Sequence, residues 1–441
     1  MTDLNLPYNK ETSKRDTKIK KNKKIKEKVP SNLKLKQENS DLYQILRNIK
    51  QISQTNKSII VSMGSQKKLL YSFDQIHFLP AQIDKIPLET NEPVNTSVII
   101  GPQAKKPLKL PSPIMISGMS LGTVSLKVKQ IFSRVAANLG IAYNSGEGGI
   151  LDEELERIGG YLIGQYSTVN SKIDLERLSR VAAIEIRFGQ GAYPGRESFL
   201  PSEKLTSDIA SIRGIKGPEP VYSPAHHFDM DSPEKIKEKI CWLKEKTGGV
   251  PIGVKIGCGN IEQDIKILAK AEVDFITLDG FGGGTGATDM FVRENVGIPI
   301  IIALPRAVKF LNNHSLKNKI SIIASGGLRT SADFAKCISL GSNAVYIGTA
   351  ALIAIGCEQF RICHTAFCPT GITTHIPALT DRLDIDEGIK KLSNFINICT
   401  REIADFARIT GKNDIKKLDI TDVVSLNKEL SELIGIKWLK G

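Results

Sequence analysis

Cys357, Cys363 and Cys368 stand in the spacing C-x5-C-x4-C, and Pro369 follows the third. Three thiolates this close together, ending in Cys-Pro, make a ligand set for an iron–sulfur cluster with three protein ligands. They come just after Ala344–Ile347, a run that reads as the last strand of an α/β barrel. A cluster at a barrel mouth implies that electrons enter or leave there. Cys241, Cys258, Cys337 and Cys399 lack such spacing. An odd number of cysteines with one tight group fits a reducing, cytoplasmic compartment better than a disulfide framework.

A second set of residues suggests a phosphate-bearing cofactor. Gly326-Gly327 and Gly348-Thr349 follow two consecutive late strands. Barrels often bind phosphate at that position, and glycine lets backbone N–H groups come close to phosphate oxygens. Further small or polar residues end earlier strands: Ser117 and Met119, the loop Asn144-Ser-Gly-Glu147-Gly-Gly149, and Gly283-Gly284-Thr285. Lys255 interrupts the apolar strand Gly-Val-Lys-Ile-Gly. It reads either as a cation beside a flavin ring or as a buried lysine satisfied by a carboxylate. Glu147, flanked by glycines, reads as a catalytic or gating carboxylate, with turn capping as the alternative. His226 and His227 are adjacent, so their side chains diverge, and metal binding is the weaker reading.

These residues need a frame. From residue 111 onward, short apolar runs alternate with amphipathic segments, the pattern of a parallel α/β sheet. Eight strands are expected at 114–117, 141–144, 161–165, 183–188, 252–256, 275–278, 321–324 and 344–347. Helices are expected after Ser125 and at 233–247, 261–270 and 331–340, with a long loop between the fourth and fifth strands. The expected fold is α/β, a (β/α)8 TIM barrel over 111–382. A lead-in segment covers 41–110 and a helical extension covers 383–441, including an amphipathic helix from Asp386 to Thr410.

The net charge of +13 is uneven. Residues 1–36 hold twelve Lys/Arg and four Asp/Glu, so the remainder is only mildly basic. Residues 1–40 read as a disordered basic arm; contact with nucleic acid or an acidic partner is the less favoured reading. No apolar run spans a bilayer and no signal-peptide pattern opens the chain, so no membrane role is expected.

Five motifs occur in one order: Asn144-Ser-Gly-Glu-Gly-Gly149, Gly189-Gln-Gly-Ala-Tyr-Pro-Gly195, Ser223-Pro-Ala-His-His227, Gly283-Gly-Thr-Gly-Ala287 and the cysteine run. From about 95 to 380 the chain resembles the FMN-binding domain of glutamate synthase, and most of all its stand-alone flavin-domain proteins. The resemblance implies FMN, a [3Fe–4S] cluster and a reaction. Ammonia and 2-oxoglutarate condense to 2-iminoglutarate, and reduced FMN delivers hydride to give L-glutamate. It implies that Cys357, Cys363 and Cys368 hold the cluster. Ser117, Met119, Arg187, Lys255, Gly283, Gly284, Thr285, Gly326, Gly327, Gly348 and Thr349 meet the flavin. Glu147, Lys255 and Gln190 take the catalytic roles, and Gln190, Tyr193, Arg196, Phe199 and Arg213 meet the oxoacid. The family's amidohydrolase and glycine-repeat β-helix regions have no counterpart in this sequence. An amidotransferase subunit supplying ammonia is therefore expected, with ferredoxin or an NAD(P)H-dependent subunit as electron donor.

The family segment Gln-Gly-Ala-Lys-Pro-Gly-Glu-Gly-Gly-Gln is here Gln190-Gly-Ala-Tyr193-Pro-Gly-Arg196-Glu-Ser-Phe199. The resemblance thus places Tyr193 where a lysine contacts the oxoacid and Phe199 where a glutamine does, and Arg187 also replaces a lysine. Losing a cation and an amide beside a dicarboxylate weakens its binding unless Arg196 supplies the charge. Two other readings follow: a reductase of a different oxoacid–amine imine, such as an N-alkylglutamate-forming enzyme, and a non-catalytic electron-transfer subunit.

Overall fold

The computed structural model describes residues 41–168, 175–213 and 219–440. The expected arm at 1–40 lies outside them. The chain divides into two compact units, 1–59 and 60–441. The described part of the first contains one helix, Asp41–Thr55. No helix among the described residues is long and apolar enough to cross a membrane.

The second unit is built on a closed parallel barrel of eight strands in chain order. We number these barrel strands β1 (Ile114–Ile116), β2 (Tyr143–Asn144), β3 (Leu162–Tyr166), β4 (Ala183–Arg187), β5 (Ile252–Gly257), β6 (Phe275–Asp279), β7 (Ser321–Ser325) and β8 (Ala344–Ile347). Nearly every strand residue is buried, because one face fills the barrel and the other packs under helices. That double burial makes the strands legible as short apolar runs, and all eight fall where the sequence places them. β4 and β5 close the ring through Ile252–Ile184 to Lys255–Arg187 register.

Helices Leu126–Leu139, Pro233–Lys246, Ile261–Lys270 and Ser331–Ser339 also match expectation. Ser232 and Thr330 cap the N-termini of two of them through their side chains. The connection from β4 to β5 is more than a loop. Ser198–Leu200 pairs antiparallel with Val221–Ser223, and the short helix Ser207–Ile212 lies between them in sequence.

The tail is helical at Ile385–Ile409 and again at Lys428–Ile434, but not throughout. Helix Ile385–Ile409 packs on the barrel helices Leu126–Leu139 and Ser331–Ser339. The approach is close: a Cβ on Gly388 would lie 2.6 Å from Ile131 Cδ1. Beyond it, Val423–Ser425 pairs with Ile76–Phe78 from the lead-in and with Lys437–Trp438. This corrects the all-helical reading: the β-branched pair Val423-Val424 finds its partner strand about 350 residues upstream, a long-range pairing with no local signature.

Candidate active site

One cavity opens at the C-terminal ends of the barrel strands, where barrels place their chemistry. Every site residue expected from the sequence lines it except Arg196. Arg196 is half-exposed and pairs with Asp289 at 3.1 Å, with Phe291 beneath its guanidinium. It therefore supplies no charge to the cavity, and that expectation is corrected.

On one side of the cavity Glu147 faces Arg187, Oε2 to Nη2 at 2.9 Å, with both side chains nearly buried. Glu147 also accepts hydrogen bonds from Ser223 and Ser167. Burial alone would raise its pKa, but Arg187, Arg213 and the two hydroxyls outweigh burial and hold it below the usual range. Glu147 is thus a carboxylate at neutral pH and not a proton donor. Arg187 Nη1 donates to Tyr193 Oη at 2.8 Å. His227 bonds the Arg187 carbonyl through Nε2 at 2.9 Å, so that nitrogen carries the proton. This accounts for the buried histidine of the pair without a metal.

Arg213 differs from Arg187 in having no carboxylate within ion-pair distance among the described residues. Its Nη1 donates to the Leu121 carbonyl at 3.0 Å, and its buried Nε has no partner. A Cβ on Gly148 would meet Arg213 Nη1 at 2.6 Å, so glycine makes room for the guanidinium. Arg213 is therefore the cation in this wall that remains free for an anion. Phe199 lies at the rim, its ring stacked on the exposed Tyr222 at 5.8 Å. Ser198 and Leu200, its neighbours on the hairpin, are buried.

Lys255 pairs with Asp279 across β5 and β6, Nζ to Oδ2 at 3.1 Å, with both buried. Burial disfavours its charge, yet Asp279 and Glu185 overcome this and raise its pKa. The lysine is thus satisfied by a carboxylate and still lines the cavity. Ser325 Oγ donates to Asp279 Oδ1 at 3.0 Å. Beneath them Glu185, fully buried, accepts from Asn144 Nδ2, Gln165 Nε2 and Thr277 Oγ1 at 2.8, 3.2 and 2.7 Å. This polar layer went unread in the sequence. Its signal was the one that flags Lys255, a charged residue inside an apolar strand.

The glycines on the opposite wall differ in what requires them. Gly326 has φ +108°, and a Cβ there would sit 2.5 Å from the Gly280 backbone, so the fold itself demands glycine. Gly348 has an ordinary φ of −117°, and its nearest neighbour would be Ser117 Cβ at 3.9 Å. Space is left open there that no protein atom needs. A segment unread in the sequence borders this wall. Ile60–Val61 pairs with Thr288–Asp289, Met63 N donates to the Thr285 carbonyl at 2.7 Å, and Met63 lines the cavity with φ +65°.

All three clustered cysteines line the same cavity. Their loop bends sharply, with Gln359, Arg361 and Ala366 in the left-handed region despite having side chains. His364 Nδ1 and Ser62 Oγ share a 2.7 Å hydrogen bond that ties the loop to the Met63 segment. Burial raises the Cys357 and Cys363 thiols, whereas hydroxyl and backbone groups of Thr370 and Thr373 hold Cys368 below its usual value against burial. Thr373 Oγ1 is buried beside Cys363 and Cys368 and has no full hydrogen bond. Lys204, also buried, donates to the carbonyls of Thr123 and Cys363 at 2.6 and 3.0 Å. Burial lowers its pKa to about 8, opposed by the Cys363 and Cys368 sulfurs. Among the described residues no three His, Cys, Asp or Glu side chains converge closely enough to hold a single metal ion.

The family described as the conserved region in glutamate synthase matches residues 36–413. The chain belongs to this family. It is 40% identical over 336 residues to the archaeal glutamate synthase [NADPH] of Methanocaldococcus jannaschii, spanning 75% of this chain and 66% of that protein. It is 35% identical over 420 residues to the glutamate synthase large subunit-like protein of Rhizobium meliloti, spanning 90% and 95%. Among solved structures, the (S)-mandelate dehydrogenase of Pseudomonas putida superposes with a TM-score of 0.53 at 14% identity, covering 80% of this chain and 88% of that one. That likeness establishes the barrel fold. Membership in the glutamate synthase family gives this cavity an oxidoreductase setting.

Proposed function

We propose that this chain is a glutamate synthase-type oxidoreductase that binds FMN and a [3Fe–4S] cluster and forms L-glutamate from 2-oxoglutarate and ammonia through 2-iminoglutarate. One observation carries the reading: in a member of this family, the glycine-rich strand ends, the Glu147–Arg187–Arg213 wall and the three cysteines line one continuous cavity. The residues fit both groups. The open space at Gly348 and the backbone of Gly326 and Gly327 suit a flavin phosphate, with Lys255 beside the ring. Cys357, Cys363 and Cys368 suit a three-iron cluster, in which each iron takes one thiolate, so the ligands need not converge on one ion. The buried Thr373 hydroxyl, beside Cys363 and Cys368, is a donor for cluster or thiolate sulfur.

Bound there, reduced FMN supplies hydride to the imine carbon and the cluster supplies electrons to the flavin. The chain's own residues do the rest. Arg213 holds a substrate carboxylate by a charge-assisted bond. Glu147 stays ionised and fixes Arg187, which fixes Tyr193. Gln190 offers an amide at the cavity wall. An ammonia-supplying subunit and an external electron donor complete the reaction.

Tyr193 favours a second reading, an imine of a different oxoacid or amine, since it brings no charge and its oxygen already accepts a hydrogen bond from Arg187. Reduced protein supplied with 2-oxoglutarate and isotopically labelled ammonium tests the first reading. Labelled glutamate is expected. No glutamate, with turnover of another oxoacid–amine pair, selects the second.

A further inference from the structure

Lys204 is tied to the cysteine loop through the Cys363 carbonyl. Its side chain is about 1% exposed, and none of the described carboxylates forms an ion pair with it. A buried ammonium is costly unless its charge and its three N–H donors are answered. Two donors are answered, by the Thr123 and Cys363 carbonyls. The third has no acceptor among the described residues. An amide side chain would satisfy two carbonyls without carrying charge, so the tether alone does not call for lysine. The geometry ties Lys204 to the cysteine loop: its Nζ holds the Cys363 carbonyl at 3.0 Å, and the Cys363 and Cys368 side chains line one cavity. Thr373 Oγ1, a buried hydroxyl in this corner, also acts on Cys363 and Cys368.

We propose that Lys204 is the buried countercharge of the three-cysteine site, with its third N–H directed at the sulfur of the group those cysteines hold. The proposal rests on the reading that this group is an iron–sulfur cluster. A cluster gains negative charge on reduction, so a fixed cation nearby raises its reduction potential and eases entry of the electron. Lys204 acts through the cluster and touches no substrate, which makes it a positioning residue.

The test is a redox titration of the purified holoprotein, followed by electron paramagnetic resonance. It compares the native chain with Lys204→Met, Lys204→Gln and Lys204→Arg. Iron and sulfide are measured first. A native protein without either overturns the cluster reading itself. With the cluster present, the neutral Met and Gln variants are expected to make reduction at least about tenfold less favourable, a drop of about 59 mV for one electron. Arg is expected to restore most of it. A neutral variant with full iron content and the native potential overturns the proposal. If Met and Gln lose iron while Arg keeps it, the charge is required and the proposal stands. Loss of iron in all three, Arg included, overturns it, because fit rather than charge would then be the requirement.

Discussion

Glu147→Ala should destabilise the barrel strongly while leaving its fold intact. The substitution strands Arg187, which is 5% exposed and already has a buried Nε without a partner. Removing one member of a buried ion pair costs about 3–5 kcal/mol, because the remaining charge stays desolvated. The unit from Ile60 to Gly441 has roughly 380 residues, giving a melting entropy of about 0.8 kcal/mol per kelvin. The expected fall in Tm is therefore about 4–6 °C. Scanning calorimetry at pH 7 measures it. Glu147→Gln with Arg187→Met removes both charges and should recover much of the loss, so the double variant should be less destabilised than the two single changes added. The sign with pH follows from the depressed Glu147 pKa. Its contribution is complete above the ordinary carboxylate range and is lost as pH falls through the lower folded value, so the gap between native and Glu147→Ala should close only in acid. Additive single variants, or a Glu147→Ala Tm within 1 °C of native, roughly the precision of the scan, would refute the reasoning.

The glycine walls give a paired expectation. Gly326→Ala should cost more than about 1 kcal/mol in a denaturant titration, from its left-handed φ and the Gly280 clash. Gly348→Ala should leave stability near native and lower flavin content after purification, since it fills space only a ligand uses. Arg213→Met should weaken oxoacid binding about ten- to a hundredfold, the loss of one charge-assisted bond of roughly 1.5–3 kcal/mol, read from flavin absorbance titrations. Tyr193→Lys should tighten 2-oxoglutarate by the same assay if a missing cation limits it.

The barrel was legible because each strand is buried on both faces and each helix carries one apolar stripe. The hairpin of Ser198–Leu200 with Val221–Ser223 was not, since three-residue strands leave no period to read. The cysteines, Lys255 and Glu147 announced themselves as charged or ligating residues in apolar or glycine-rich surroundings. Glu185 and Asp279 gave the same sign inside β4 and β6 and were passed over. Lys204 and Met63 gave none: one is an ordinary loop lysine in sequence, the other an apolar residue of the lead-in, and only the fold carries Met63 to the cavity and Lys204 to the cysteine loop. Arg196 was misplaced because nearness in sequence to Tyr193 does not fix direction, and the chain turns it outward to Asp289.

Stopped-flow oxidation of the anaerobically reduced protein tests glutamate synthase-type chemistry most directly. Mixing with 2-oxoglutarate and ammonium together should return the oxidised flavin spectrum, and either alone should not. A flavin that stays reduced with that pair, or a purified chain that binds no flavin, would contradict the account.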